Sequence, residues 1–389
     1  MSSASTIEAL RAKMAEEMKT KVRVDPAWTS VSGPETEYVD VLRAAFEDTL
    51  KEKKKAAPKS APKTADTPKW PNLLPSEGVS YKELFPEFMP ATAQDFKVPT
   101  FHGYEYPEWM REYVPKSSDY LAPAELVYNA VLAFARKSVT HVVGHPGTGK
   151  SEGLPNLIAS RLGLPMFRFG LNKKGMMFDD LVGRESIVVQ DGHSVTSHKD
   201  GLLVKVVQHP TFVLLDEFCR ANQEITNGCM SLMERNGKLI VENRADPVIR
   251  RHPDCWVVAS DNVKGLGDAA DRMVGTELID GAILDRFDVT LEVDYLPQSD
   301  LKNLIEKWVP GIPDALKLSK FAVLVQEAYK KGNLPLSLSP RGIRAIAEYA
   351  CIHQDYAPAV RKVFLCKLAE ESDVACVKES YRTAFGNTL

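Results

Sequence analysis

The stretch GHPGTGKS at residues 144–151 decides the fold, because its G-x-x-x-x-G-K-S spacing is that of a phosphate-binding loop. Its glycines permit backbone conformations that turn N–H groups toward a polyphosphate. Lys150 places a charge on the terminal phosphates, and the Ser151 hydroxyl supplies one ligand of Mg²⁺. We therefore expect ATP to bind through the following residues: Gly144, His145, Pro146, Gly147, Thr148, Gly149, Lys150 and Ser151.

The residues on both sides of the loop support this interpretation over an ordinary glycine-rich turn. A β-branched run at 139–143 predicts a strand that leads into the loop, and residues 151–162 have helical spacing. A strand, a glycine turn and a helix N-terminus together form an anion site. Pro155 has no amide hydrogen to donate to the Ser151 carbonyl, which predicts a kinked or late-starting helix.

Composition narrows the class of protein. The chain has 389 residues, enough for two or three domains, and 44% hydrophobic with 26% charged residues is typical of a soluble globular protein. A net charge of −3 gives no overall basic field toward nucleic acid or membrane, and the sequence shows neither a signal core nor a membrane-length apolar run. Scattered cysteines without a C-x-x-C pair indicate reduced thiols in a cytoplasmic protein rather than a zinc site. These cysteines are Cys219, Cys229, Cys255, Cys351, Cys366 and Cys376.

Three regions follow one another along the chain. Residues 1–95 read as an arm with two short amphipathic helices, within 7–18 and 38–50, and a Lys/Ala/Pro-rich linker at 51–71. The helices either dock on the main body, dock on a partner, or form a mobile arm. Residues 96–295 alternate strand and helix signals and predict an αβα domain with a parallel sheet, followed by a small all-α lid domain at 296–389. The predicted strands are 138–143, 166–169, 211–215 and 256–260.

Two adjacent carboxylates follow the third predicted strand. A carboxylate at the carboxyl end of a parallel strand lies beside the phosphate loop, so we assign Asp216 to Mg²⁺. The next carboxylate can orient and deprotonate an attacking water, so we assign Glu217 as the general base. A solvated turn is the alternative for such a pair, but the phosphate loop disfavours it.

Polar residues after the fourth strand and after the next helix complete the candidate site. Asn262 is our choice for a residue that senses the γ-phosphate, with Asp261 as the second choice. Arg286 suits a finger that reaches the site of a neighbouring subunit, where a cation stabilises charge on the transferred phosphoryl group. A salt bridge to Asp285 or Asp288 is the alternative role for this arginine.

The predicted lid contributes one more arginine. Ser339 as N-cap and Pro340 at the first helical position predict a helix start. Arg341 then lies in the first turn, from which it reaches the γ-phosphate of its own subunit.

The order of these motifs resembles that of the AAA+ ATPases, as Walker A, Walker B, sensor 1, arginine finger and sensor 2. LLDEFCRAN at 214–222 is similar to the MoxR branch. FDDLVGRESIVVQDG at 178–192 and the segment 262–287 resemble the ATPase subunits of aerobic cobaltochelatases. The resemblance runs from about residue 97 to the C-terminus, with two departures: Pro155, and Phe287 where that group has Trp.

The resemblance implies a hexameric ring and a partner with a von Willebrand A domain. A hairpin around Asp191-Gly192, with strands 187–190 and 194–197, then projects toward the pore. A second hairpin is predicted at 239–241 and 248–250, and the loop 172–177 either lines the pore or is a plain surface loop. His193 and His198 flank the first turn and are expected on the surface.

Our leading hypothesis is a ring-forming Mg-ATP motor that binds ATP between subunits and remodels a partner protein. The ATPase motor of a metal chelatase and a nucleic-acid motor are the alternatives. Aspartates dilute the lysines near the predicted pore, which disfavours nucleic acid. A scaffold that binds nucleotide without turnover is a further alternative.

Overall fold

The computed structural model describes residues 72–116, 120–190, 193–242, 244–262 and 281–389. Both predicted N-terminal helices and the linker at 51–71 lie outside these residues. The main compact unit runs from Leu73 to Leu389.

Strands and helices of the described residues alternate as the sequence predicts up to the lid. The strands are β1 (Val79–Ser80), β2 (Lys97–Val98), β3 (Thr140–Gly144), β4 (Met166–Gly170), β5 (Gly183–Gln190), β6 (His193–Asp200), β7 (Phe212–Asp216), β8 (Lys238–Ile240), β9 (Val248–Arg250), β10 (Trp256–Asp261) and β11 (Val289–Val293). The helices are α1 (Tyr81–Leu84), α2 (Glu108–Arg111), α3 (Ala124–Ala135), α4 (Gly153–Leu162), α5 (Asp179–Val182), α6 (Leu202–Val206), α7 (Gln223–Met230), α8 (Gly281–Leu284), α9 (Gln298–Trp308), α10 (Ala315–Lys330), α11 (Pro340–His353), α12 (Tyr356–Val363) and α13 (Glu371–Phe385). Short 3₁₀ turns lie at Pro86–Phe88, Phe218–Arg220 and Leu365–Lys367.

A five-stranded parallel sheet in the order β11-β3-β10-β7-β4 forms the framework of the nucleotide-binding domain. All four predicted strands belong to it, with ends shifted by at most two residues. The fifth, β11, was missed because Thr290 and Glu292 alternate with its apolar residues, so no continuous apolar run forms.

Successive residues of the central strands face opposite sides of the sheet, and each side has its own apolar core. Val213, Leu215 and Val257 face the core that α6 and α7 cover. Leu214 and Val258 face the core that α3 and α4 cover. The predicted αβα sandwich is therefore confirmed.

Residues just before the sheet domain also belong to the apolar core that α3 and α4 cover, although we predicted from the sequence that they belong to the N-terminal arm. Tyr81 is fully buried and stacks on Phe85 at 5.2 Å and on Phe96 at 5.1 Å between ring centroids. Burial of these aromatic rings is the physical reason that the compact unit begins at Leu73 rather than near residue 96.

Both predicted hairpins are present. β5 pairs antiparallel with β6, and β8 pairs antiparallel with β9; Asp191 and Gly192 lie outside the described residues. His193 is exposed as expected, but the expectation for His198 is wrong, because its side chain is only 5% exposed. His198 lies near the base of the hairpin, opposite Glu185, where neighbouring elements cover it.

The lid is helical, as predicted, and has a separate apolar core that includes Phe321, Ile343 and Tyr381. Its α11 begins as expected, because Ser339 Oγ accepts from the Gly342 amide at 3.3 Å and Pro340 is the first helical residue. None of the helices in the described part of the chain has the length and apolar character needed to cross a bilayer.

Phe85→Ala tests whether the segment before the sheet belongs to the folded core. Phe85 is fully buried, so we expect the substitution to lower the free energy of unfolding by about 3–5 kcal/mol in urea titration. Leu73 is 66% exposed, so Leu73→Ala is the matched control, with an expected change within about 0.5 kcal/mol. Equal stability of the two variants would contradict this assignment.

Candidate nucleotide-binding site

The loop after β3 has the shape of a phosphate cradle. Gly147 and Gly149 have φ of 79° and 93°, which β-carbon-bearing residues rarely adopt. A β-carbon at Gly149 would collide with the ring of Tyr120, whose hydroxyl donates to the Thr148 carbonyl at 2.7 Å. The following helix begins only at Gly153, which confirms the predicted late start.

Lys150 is the buried cation of this cradle and is only 6% exposed. Its Nζ donates to the carbonyl oxygens of Gly144 at 2.7 Å and His145 at 2.6 Å. Burial lowers the pKa of Lys150 to about 8, while the carboxylates of Asp216, Asp261 and Glu217 act in the opposite direction. An incoming phosphate therefore meets a lysine whose charge is poorly solvated.

Asp216 is a buried carboxylate at the carboxyl end of β7, where hydroxyl and guanidinium groups converge on it. Its Oδ1 accepts from Ser151 Oγ at 2.7 Å and from the Ser260 hydroxyl. Its Oδ2 accepts from Arg168 Nε at 2.7 Å, and a second Arg168 nitrogen lies against the same oxygen. Mg²⁺ prefers such carboxylate and hydroxyl oxygens, so Asp216 and Ser151 fit the metal role that the sequence predicts.

A line of ion pairs connects Asp216 to the lid. Arg168 also approaches Glu152, with 3.6 Å between Nη1 and Oε1. Glu152 in turn accepts from Arg341 Nη2 at 3.0 Å. The lid arginine that we expect at the γ-phosphate therefore contacts, in this structure, a carboxylate one residue beyond the phosphate loop.

Glu217 adopts a left-handed conformation, with φ 57° and ψ 46°. Such a conformation costs a non-glycine residue about 1–3 kcal/mol and is typical of functional sites. Its amide donates to the Ser260 carbonyl at 2.8 Å, and its Oε2 lies 3.4 Å from Arg220 Nη1. The neighbouring strand thus holds the predicted base at the cavity wall.

The two candidates after β10 have different surroundings. Asp261 is buried, with Oδ2 at 2.8 Å from His141 Nε2 and Oδ1 accepting from the Cys219 amide at 2.7 Å. Asp261 and Asn262 both line the cavity. Because both Asp261 oxygens already have polar partners in the protein, Asn262 remains our candidate for the residue that contacts nucleotide.

Arg286 does not line the cavity of its own chain. Its Nε is buried without a hydrogen-bond partner among the described residues, and Nη1 donates to the Ala282 carbonyl at 3.4 Å. Within the described residues, Arg286 forms no salt bridge to Asp285 or Asp288. Asp288 instead accepts a hydrogen bond from the Val139 amide at 2.8 Å. The adjacent Phe287 stacks on His141 at 4.6 Å, which fixes the turn that carries Arg286.

A cavity of about 520 Å³ brings most of the predicted residues together. Its walls include Pro146 through Ser151 with Asp216, Glu217, Asn262 and Arg341. Gly144, His145 and Arg286 lie outside its walls. The His145 ring stacks instead on Tyr295 at 5.1 Å, so only its backbone belongs to the cradle.

The wall residues that sequence reasoning missed include Tyr120, Glu152 and Arg168. Arg168 gave one usable signal, since it is the charged residue in the otherwise apolar strand Met166–Gly170. Tyr120 and Glu152 gave none, because a loop tyrosine and a helix-start glutamate are common surface residues.

The lowered pKa of Lys150 predicts proton uptake on nucleotide binding. Phosphates favour the ammonium form, so we expect affinity to fall by up to about tenfold per pH unit above the pKa of about 8. Titration calorimetry in buffers of different ionisation enthalpy measures this uptake directly. Binding without proton uptake at about pH 9 would contradict the prediction.

Arg168→Gln tests whether the guanidinium competes with a metal for Asp216. Because the variant leaves Asp216 without its cation, we expect the Mg²⁺ concentration for half-maximal binding of a fluorescent ATP analogue to fall by about three- to tenfold. Arg382→Gln breaks an exposed pair with Glu379 elsewhere and is the matched control. An unchanged or higher Mg²⁺ requirement in Arg168→Gln would refute the competition.

Comparison with known proteins places these features in a family. Residues 140–287 match the model of the AAA domain, dynein-related subfamily. The aerobic cobaltochelatase subunit CobS of Sinorhizobium sp. is 32% identical over 81% of this chain and 93% of its own length. Midasin of Giardia intestinalis is 28% identical over 44% of this chain but only 3% of its own length.

Among solved structures, a point mutant of Thermotoga maritima RuvB matches with 15% identity and a TM-score of 0.43, over 67% of this chain and 75% of that chain. That likeness is too low to support an argument about function. The match to CobS extends over most of this chain and nearly all of CobS, which shows the family. The chain therefore belongs to the AAA+ ATPases of the MoxR type, in the group of CobS-like ATP hydrolases.

Proposed function

We propose that this ATPase is a Mg²⁺-dependent ring motor, hexameric in its working state, that remodels a partner protein. One observation carries the proposal: Arg286 has a buried guanidinium nitrogen that lacks a partner in the described chain, and it lies outside its own cavity. A cation of this kind suits the site of an adjoining subunit, where it completes the charge around the terminal phosphate.

The chain's own residues divide the chemistry among themselves. Lys150 and the loop amides bind the phosphates, and Ser151 with Asp216 would hold Mg²⁺, which when bound offsets phosphate charge. Glu217 accepts a proton from the attacking water, which Asn262 helps to orient. Arg341 contacts the terminal phosphate from the lid and so couples the nucleotide to lid position.

The partner belongs to the same proposal. The hairpins β5–β6 and β8–β9 extend from the sheet domain and suit contacts with a polypeptide client, for which a protein with a von Willebrand A domain is our candidate. A cytoplasmic location is part of the proposal and is supported by the free thiols of all the cysteines.

A second candidate is the ATPase motor of a metal chelatase. The identity to a cobaltochelatase subunit over most of its length favours it. In that case the client is the subunit that binds the tetrapyrrole, and a genome without such a subunit removes this option. A nucleic-acid motor remains the least favoured alternative; ATPase activity stimulated by DNA with a steep salt dependence would revive it.

Glu217→Gln tests the role of the base and traps the client. Removing a general base lowers turnover by about 10²–10⁴-fold, so we expect phosphate release to collapse while ATP binding remains. Glu327→Gln, at an exposed lid position, is the control and keeps wild-type turnover. In a pull-down, the stalled variant should hold a protein client only with ATP; a trap that captures no protein would contradict the remodelling role.

Mixing two inactive variants tests whether Arg286 acts across the interface between two subunits. Arg286→Ala lacks the finger and Lys150→Ala lacks the cradle, so each alone is inactive. If the finger acts in trans, random equal mixing restores activity at about a quarter of the sites. The control mixes Arg286→Ala with Glu217→Gln/Arg286→Ala, in which no subunit supplies a finger. Failure of the first mixture to recover activity would refute the trans assignment.

A further inference from the structure

A second cavity, of about 410 Å³, lies between the base of the β5–β6 hairpin, the turn end of the β8–β9 hairpin, and α7. Its walls include residues of both hairpins, such as Glu185 in β5 and Ile240 in β8. Its described lining residues are distinct from those of the nucleotide cavity. Nothing in the hydrolysis of ATP uses this space, so it requires an explanation of its own.

His198 lines this cavity with a side chain that is only 5% exposed. Neither ring nitrogen has a hydrogen-bond partner within the described ranges. The nearest carboxylate oxygen, on Asp200, is 3.7 Å from Nε2 and already accepts from Arg244 at 3.0 Å. Leaving a buried imidazole unsatisfied is costly, so the arrangement indicates that a polar group binds there.

The charge of the cavity wall indicates which polar group fits. Asp179, Glu185 and Glu242 line it, and none of these carboxylates forms an ion pair with any residue that the structure describes. Arg184 also lines it, but its charge is paired with Asp180 at 2.5 Å. The wall is therefore acidic, which repels phosphates and attracts a cation.

The form of the cation follows from the donors and acceptors present. The described residues contain no group of three side chains arranged as metal ligands, which disfavours a metal ion. A guanidinium presents several N–H donors in one plane, so it can donate to a neutral imidazole nitrogen and to carboxylates together. The other imidazole nitrogen then carries the proton and can donate to a peptide carbonyl.

We propose that this cavity binds an arginine side chain of the client polypeptide, with His198 donating to the client backbone and the acidic wall receiving the guanidinium. The assignment rests on the proposed function, because it gives the motor's client a recognition element. The cavity is lined by residues of both hairpins, so a bound arginine contacts the two elements that we expect to act on the client.

The test uses the full-length protein and short fluorescein-labelled peptides of glycine and serine that carry one central Arg, Lys, Gln or Glu. Fluorescence anisotropy gives the dissociation constants. We expect the Arg peptide to bind at least about tenfold more tightly than the Gln peptide, the Lys peptide to fall between them, and the Glu peptide to bind worst.

Two variants locate the preference. Glu185→Gln/Glu242→Gln should reduce the Arg-over-Gln preference to below about threefold, and His198→Ala should weaken the binding of both the Arg and the Gln peptide, since each loses the hydrogen bond to its backbone. Glu83→Gln/Glu327→Gln removes two exposed carboxylates elsewhere and should keep the preference. ATP turnover and far-UV circular dichroism confirm that each variant is folded.

The outcomes separate this proposal from the one on which it rests. If peptides bind without preference for Arg, or if the preference survives the double variant, the arginine site is refuted while a polypeptide client stands. If none of the peptides binds in any nucleotide state, both the arginine site and the polypeptide client are contradicted. Comparing the four peptides on the wild-type protein tests the preference for Arg even if a variant fails to fold.

Discussion

The buried carboxylate of Asp216 is the group on which the nucleotide site depends. A buried charge must be compensated, and here three elements converge to do so: Ser151 from the phosphate loop, Ser260 from β10 and Arg168 from β4. The parallel pairing brings these groups together, because β4 and β10 lie on either side of β7, which carries Asp216 at its carboxyl end. The site is thus organised around one negative charge, which Arg168 compensates in this structure.

The same carboxylate is connected to the lid by a series of ion pairs. Arg341, Glu152 and Arg168 form successive ion pairs that end at Asp216. A nucleotide that draws Arg341 to its terminal phosphate competes directly with the Glu152 pair. In the proposed mechanism, the Arg341–Glu152 contact seen here therefore belongs to the lid state without that phosphate contact.

Sequence reasoning succeeded where a pattern has one physical cause. Strands β3, β7 and β10 are buried on both faces and appear as continuous apolar runs, while the phosphate loop and Asp216-Glu217 sit at their carboxyl ends. It failed for β11, in which Thr290 and Glu292 interrupt the apolar run, and for His198, which lines a cavity with residues distant in sequence. The pairing of Arg168 with Asp216 depends on the strand order, which the sequence does not encode locally.

Determining the structure of Glu217→Gln with Mg²⁺ and ATP tests the central claim most directly. The quantity to measure is the separation between the Arg168 guanidinium and the Asp216 carboxylate. The account predicts that this hydrogen bond, now 2.7 Å from Nε to Oδ2, is broken when the cation is bound. An Arg168 that keeps its hydrogen bond to Asp216 in the presence of bound Mg-ATP would contradict it.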